Sequence, residues 1–287
     1  MDAYYDANIY NDIERGDISP EDVAALKAAR ARGAITPYLS FADIEEFVGG
    51  VWEANKELAR SRLRIAQEHV GFEGLLKPPS VLLTEAIQAY VSGASIPART
   101  LGRHDRRFHA KVLREVAAGN TTYNPQMSQI AADVKKLKED GLAGMKEARD
   151  KSRAELMAKY TQRELSGVSF SEFFADGATS WAEHFAEPIG LADACRERGL
   201  DGLLQVGAVR LCVGMAMSVV HSQVVQQREP KFPDAYDLWH AVLASVGDIF
   251  LTRDKRFADH LDQIPDVNGF RVLRTVPELL MSLPRSS

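Results

Sequence analysis

Cysteine is nearly absent: Cys195 and Cys212 are the only two in 287 residues. Two well-separated thiols supply neither a zinc-ligand pattern nor a disulfide framework, so a reduced, cytoplasmic setting is expected. No long apolar run is present either. The most apolar stretch, Gly207–Ser222, contains Arg210 and His221 and reads as a buried helix, so no membrane association is expected. No basic segment precedes the first apolar residues, which Asp2 and Asp6 flank, so no secretory leader is expected. A glycine-rich phosphate loop, a Rossmann glycine fingerprint and a Ser-His-Asp arrangement are all missing. Their absence argues against phosphate-cradle and serine-hydrolase chemistry.

What is there is an ordinary globular composition. Apolar residues make up 45% and charged residues 26%, as in chains that bury one large core or two modest ones. Charge is uneven. Residues 1–50 hold ten acids against four bases, residues 228–287 hold nine against eight, and residues 51–227 hold 21 against 23. A basic footprint for nucleic acid would have to come from the middle.

Hydrophobic spacing divides the chain the same way. Ala3–Tyr10 is aromatic and β-branched, which predicts a buried strand running into a loop. Ser19-Pro20-Glu21-Asp22 predicts a helix start, running through Ala31 to a stop at Gly33. Ile35–Phe41 predicts a second short strand, broken by Pro37. From Ala42 the spacing is helical, with Ile44, Phe47, Val48 and Val51 on one face. From Trp52 to Gln227 the pattern is almost entirely helical. It comprises a helix opened by Pro78-Pro79 and closed by Gly93, one over Arg103–Val116, and a long charged one from Asn124 to about Leu165, interrupted near Gly141 and Gly144. Two more cover Ser169–Glu187 and Asp201–Gln227. Beyond Pro233 come helix Ala235–Val246, strand Asp248–Thr252, helix Asp254–Leu261, strand Phe270–Leu273 and a short helix Glu278–Ser282. This alternation predicts a parallel α/β sheet built from the two ends. Its discontinuous core is residues 1–50 and 228–287, around a large, mostly α-helical insertion of residues 51–227.

In an open parallel sheet, functional groups collect beyond the carboxyl ends of the strands. Asp6 ends the first strand, Asp254 follows the third, and Glu46 lies early in the helix after the second. Asp237 lies one turn into the helix before the third strand, with Asp234 on its face. Hard divalent cations take oxygen ligands, and Mg²⁺ takes one or two carboxylates while keeping waters. Such an ion would activate water and neutralise a phosphodiester.

Family resemblance rests on the same residues. Tyr5-Asp6-Ala7-Asn8 resembles the Asp-x-Asn opening of PIN domains. Ser40-Phe41-Ala42-Asp43-Ile44-Glu45-Glu46-Phe47 resembles their second segment, and Asp237-Leu238-Trp239-His240-Ala241 their third acidic motif. Leu251-Thr252-Arg253-Asp254-Lys255-Arg256-Phe257 is similar to the Thr-x-Asp-x-x-Phe fourth, and Phe270–Pro277 to the last strand and trailing proline. The resemblance covers about residues 1–50 and 230–280, and the length of the middle departs from compact members. It implies a PIN-like parallel sheet flanked by helices and an Mg²⁺- or Mn²⁺-dependent nuclease, an endoribonuclease first. Asp6, Glu46, Asp237 and Asp254 would be its catalytic metal ligands, with Asn8, Asp234, Thr252 and His240 in support. RNA is the expected partner. DNA or flap structures, an inert PIN-like regulator with a protein partner, a toxin held by an antitoxin, and a homo-oligomer stay open.

Plainer roles compete for each residue. Any of the four acids alone suits a helix cap or a solvated loop, and Glu45 competes with Glu46, which motif spacing favours. Asp234 suits the N-cap after Pro233, Asn8 a turn, Thr252 a strand end, and His240 a satisfied core position. Arg99, Arg103, Arg106, Arg107, Lys111 and Arg114 are the candidate phosphate contacts, against a solvated helix face.

Overall fold

A computed structural model describes residues 1–284 except 159, 160, 162, 163, 165, 230, 232 and 268, and excludes the side chains of residues 145, 148 and 233–235. The chain is an α/β protein with a four-stranded, all-parallel sheet and a majority of helix. The strands are β1 (Asp2–Tyr5), β2 (Thr36–Tyr38), β3 (Ile249–Leu251) and β4 (Arg271–Leu273), in the order β2-β1-β3-β4. β1 pairs with β3 so that Tyr5 faces Leu251. The first and last segments of the chain therefore share one central ladder.

Side-chain alternation along these short strands separates two cores. Ala3 and Tyr5 of β1, with Ile249 and Leu251 of β3, enter one; Tyr4 and Phe250 enter the other. The first core is covered by α1 (Ala7–Arg15), α2 (Pro20–Ala31), α4 (Lys56–His69), α6 (Arg103–Ala117) and the closing helix α14 (Val276–Ser282). The second is covered by α5 (Pro79–Ser92), α8 (Phe170–Ala186), α11 (Gly207–Val224), α12 (Pro233–Ala244) and α13 (Lys255–Asp262). Helices of residues 51–227 thus pack on both faces of the sheet. Phe250 is fully buried between Tyr4 and Phe257, with ring centroids 5.5 and 5.2 Å away. Truncating a side chain so placed costs about 3–5 kcal/mol.

Caps written in the sequence fix several helices. Ser19 accepts from the Asp22 N–H at 3.1 Å, with Pro20 in the first turn of α2. Ser40 and Asp43 form a reciprocal capping box at the start of α3 (Phe41–Gly49). Pro37 sits within β2, an edge strand where a missing N–H is tolerated.

Several elements differ from the sequence reading. The residues after Tyr5 form helix α1 rather than a loop: Ile9, Tyr10 and Asp12 turn inward, and Gly16 ends the helix at φ 76°. Gly141 and Gly144 do not interrupt α7, which runs unbroken from Asn124 to Met157. A helical glycine costs only about 1 kcal/mol, and Val134 packs so closely on Gly49 of α3 that no Cβ would fit there. Leu165, the expected end of that helix, lies outside the described residues. The Asp201–Gln227 helix is divided into α10 (Leu200–Leu203) and α11, and the sequence reading missed α9 (Ala192–Arg198). Among the described residues, no helix is long and apolar enough to cross a membrane.

Candidate functional site

Asp6 stands at the carboxyl end of β1, its backbone N–H donating to the Leu251 carbonyl at 3.0 Å. It occupies the N-cap of α1 with no side-chain capping bond, so its carboxylate remains available. Oδ2 accepts from Thr252 Oγ1 at 2.6 Å and from Asn8 Nδ2. Asn8 Nδ2 also reaches Thr252 Oγ1 at 3.0 Å, and its Oδ1 accepts from the Arg253 N–H at 3.1 Å. Asn8 and Thr252 thus orient Asp6, although 244 residues separate them.

Asp254 is the N-cap of α13, with Oδ1 accepting from the Phe257 N–H at 3.0 Å. Its own N–H donates to Thr252 Oγ1 at 3.1 Å, which ties it to the same network. Capping occupies one of its oxygens. Asp237 is buried on α12, and Oδ2 meets Arg256 Nη2 at 3.1 Å. Asp234 lies in the first turn of that helix rather than at the expected cap, and its side chain lies outside the described residues.

Glu46, on α3, is held from behind. His240 Nε2 lies 2.7 Å from Glu46 Oε1, and His240 Nδ1 lies 2.7 Å from the Tyr4 hydroxyl. That hydroxyl also reaches Asp43 Oδ1 at 3.1 Å and Ser40 Oγ at 3.0 Å. His240 is thus both a buried, satisfied histidine and a partner of the acid cluster. Tyr4, Ser40 and Asp43 escaped the sequence reading. The Ser-x-x-Asp capping box was visible, but nothing local signals that a strand tyrosine will reach it.

Electrostatics join these groups. Burial raises the Asp6 carboxyl to about 6, opposed by His240 and the Thr252 hydroxyl and reinforced by Glu46 and Asp254. Burial raises Asp237 to about 8 despite Arg256, with Asp254 and Asp6 adding to it. Asp43 rises to about 7, again by burial. Burial opposes the His240 imidazolium, but Glu46, Asp6 and Asp43 outweigh it and raise the ring to about 10. In each carboxyl burial is the largest cause, with neighbouring acids adding to it.

The fit to a divalent cation is mixed. Oxygen donors of this type suit Mg²⁺ or Mn²⁺, and Asp6 and Asp237 are carboxyls that burial holds above their ordinary range. Among the described residues, however, no group of three or more His, Cys, Asp or Glu is arranged to hold a metal ion. Glu46 and Asp237 are turned toward His240 and Arg256.

The basic segment divides. Arg103, Arg106, Arg107 and Arg114 of α6 line one cavity of about 330 Å³ with Glu73, whose Oε1 lies 2.7 Å from Arg114 Nη1. Lys111 is exposed on α6 outside that lining. Arg99 precedes the helix and bonds instead to the Val246 carbonyl, with Asp2 3.8 Å away, so it does not join the others. A larger cavity of about 580 Å³ has Glu45 and Trp239, the chain neighbours of Glu46 and His240, in its wall. Comparisons with protein families, with curated proteins and with solved structures return no match for this chain.

Proposed function

We propose that this chain is a divalent-metal-dependent phosphodiesterase of PIN-like architecture that cleaves RNA. The observation that carries the reading is the acid cluster: buried Asp6, just past the carboxyl end of β1, forms one electrostatic group with Glu46 of α3 and Asp254. Residues 1–50 and 228–287 would be the nuclease core, and residues 51–227 its helical insertion.

Asp6, Glu46, Asp237 and Asp254 would hold Mg²⁺ or Mn²⁺, which supplies water activation and neutralises phosphate charge when bound. Asn8 and Thr252 both donate to Asp6 Oδ2 and so fix its carboxyl. His240 positions Glu46, and Tyr4 fixes the imidazole in turn. The α6 arginines would draw the phosphate backbone toward the protein. Without a cation the cluster repels a polyanion, so substrate and metal binding are coupled.

The test is Mn²⁺-dependent cleavage of single-stranded RNA by the wild-type chain, by Asp6→Asn and by Asp254→Asn. Equal cleavage by all three would overturn the reading. Parallel 2′-H strands separate ribonuclease from DNA or flap-type activity. Two contacts favour a second reading, an inert PIN-like regulator: Glu46 and Asp237 already have internal partners in His240 and Arg256. That reading predicts no Mn²⁺ uptake by calorimetry.

A further inference from the structure

The cavity of about 580 Å³ is formed where α3, the start of α5, α6, α7 and α12 meet. Phe41, Glu45, Asp105, His109, Leu137 and Trp239 contribute to its wall. Phe41 and His109 meet edge to face, with centroids 5.0 Å apart, and Trp239 is half-buried. Leu137 is 51% exposed, so the apolar lining opens to solvent. No lysine or arginine belongs to the lining among the described residues, whereas two carboxylates do. Such a wall disfavours a phosphate or carboxylate. It suits a neutral, flat ring that carries N–H donors.

Position strengthens the case. Glu45 immediately precedes Glu46 on α3, and Trp239 immediately precedes His240 on α12, so two of the elements that line the cavity also carry members of the acid cluster.

We propose that this cavity is a nucleobase subsite that selects guanine. An aromatic wall stacks any base, because every base has a π-face. The carboxylates provide the choice. Guanine presents N1–H and the exocyclic N2–H side by side, and one carboxylate accepts both. Adenine and cytosine present one amino group beside a ring nitrogen acceptor, which a carboxylate repels. Uracil presents a single N–H between two carbonyls. Glu45, one residue from the acid cluster, is the selecting carboxylate, and Asp105 lines the α6 side. In substrate terms this deepens the phosphodiesterase reading and rests on it, since the base would belong to a strand whose phosphate lies over the acids. Base binding itself does not depend on hydrolysis.

Neutral nucleosides separate base from phosphate. Guanosine, adenosine, cytidine and uridine are titrated into the full chain without divalent metal, by tryptophan fluorescence and by calorimetry. Guanosine quenches fluorescence and binds roughly tenfold more tightly than the others, the scale of one good bidentate pair. Glu45→Gln removes most of that preference, and Asp105→Asn weakens guanosine with unchanged circular dichroism. Trp239→Phe loses the quench while calorimetric binding persists. Failure of guanosine to bind, or equal binding of all four nucleosides, overturns the subsite. Selective binding by a chain that does not cut RNA supports the subsite and removes the hydrolase. Cutting with no preference for guanine near the scissile bond, and no nucleoside binding, does the reverse.

Discussion

His240 Nε2 lies 2.7 Å from Glu46 Oε1, joining helices 194 residues apart in the chain. The imidazole is buried, and its other nitrogen reaches the Tyr4 hydroxyl in the second core. His240→Ala therefore removes one of the three partners of the buried Tyr4 hydroxyl, unties Glu46 and leaves a void. Unfolding free energy falls by about 1–3 kcal/mol, in urea or by heat. Tyr4→Phe, which keeps the ring, costs less and separates the hydroxyl's share.

Asp6→Asn divides activity from stability. Its raised carboxyl means that charging Asp6 opposes folding above its ordinary range, so the neutral isostere keeps or raises the melting temperature at pH 8. Mn²⁺-dependent cleavage falls roughly 10²-fold or more, the scale of losing a group placed against reaction charge. A variant that is both unstable and inactive would show that Asp6 is structural.

If the proposed site holds a divalent metal, the metal stabilises the wild-type chain by mass action. Mn²⁺ at a hundredfold excess over its dissociation constant adds about 2.7 kcal/mol. Differential scanning fluorimetry reads this as an upward shift that Asp6→Asn and Asp254→Asn reduce. No shift with Mn²⁺ or Mg²⁺ supports the inert reading.

On the proposed function, the α6 arginines act through phosphate charge. Arg103→Ala and Arg107→Ala each weaken RNA binding and lower the slope of log affinity against log salt by about 1. Arg99→Ala leaves that slope unchanged, because Arg99 is spent on the Val246 carbonyl. Fluorescence anisotropy at several salt concentrations measures both.

His69 predicts an acid-side loss of stability. It is buried, its Nδ1 has no hydrogen-bond partner, and burial followed by Lys27 and Arg30 lowers its pKa from 6.5 to about 4. The unfolded imidazole binds its proton first as pH falls. The neutral ring's contribution is therefore full above about pH 6.5 and lost progressively toward pH 4, roughly 3 kcal/mol at most. The difference between wild type and His69→Gln across that window isolates it, since Asp6, Asp43 and Asp237 shift stability the other way.

Local signals were readable where a residue's partner is a few positions away. Ser19-Pro20, Pro79 and Gly93, and the Asp254 cap each act within one turn of helix, so spacing alone located those boundaries. α1 was misread because Asp6 is an N-cap without a capping bond: its side chain serves Asn8 and Thr252 instead. Asp43 was passed over as one acid of a motif, although Tyr4 and Ser40 make it the buried anchor of the Glu46 relay.

The sequence by itself determined the helix-rich composition, the strand-forming ends and the order in which the acids occur. Those properties depend on neighbours in the chain. Only the tertiary structure decided that β1 pairs with β3, that Tyr4 and His240 brace Glu46, and that Arg99 leaves its basic neighbours. Each of those contacts closes a long loop, and its partner is chosen by which face of the sheet a side chain enters. The burial that raises the Asp6, Asp43 and Asp237 carboxyls exists only once both cores have closed.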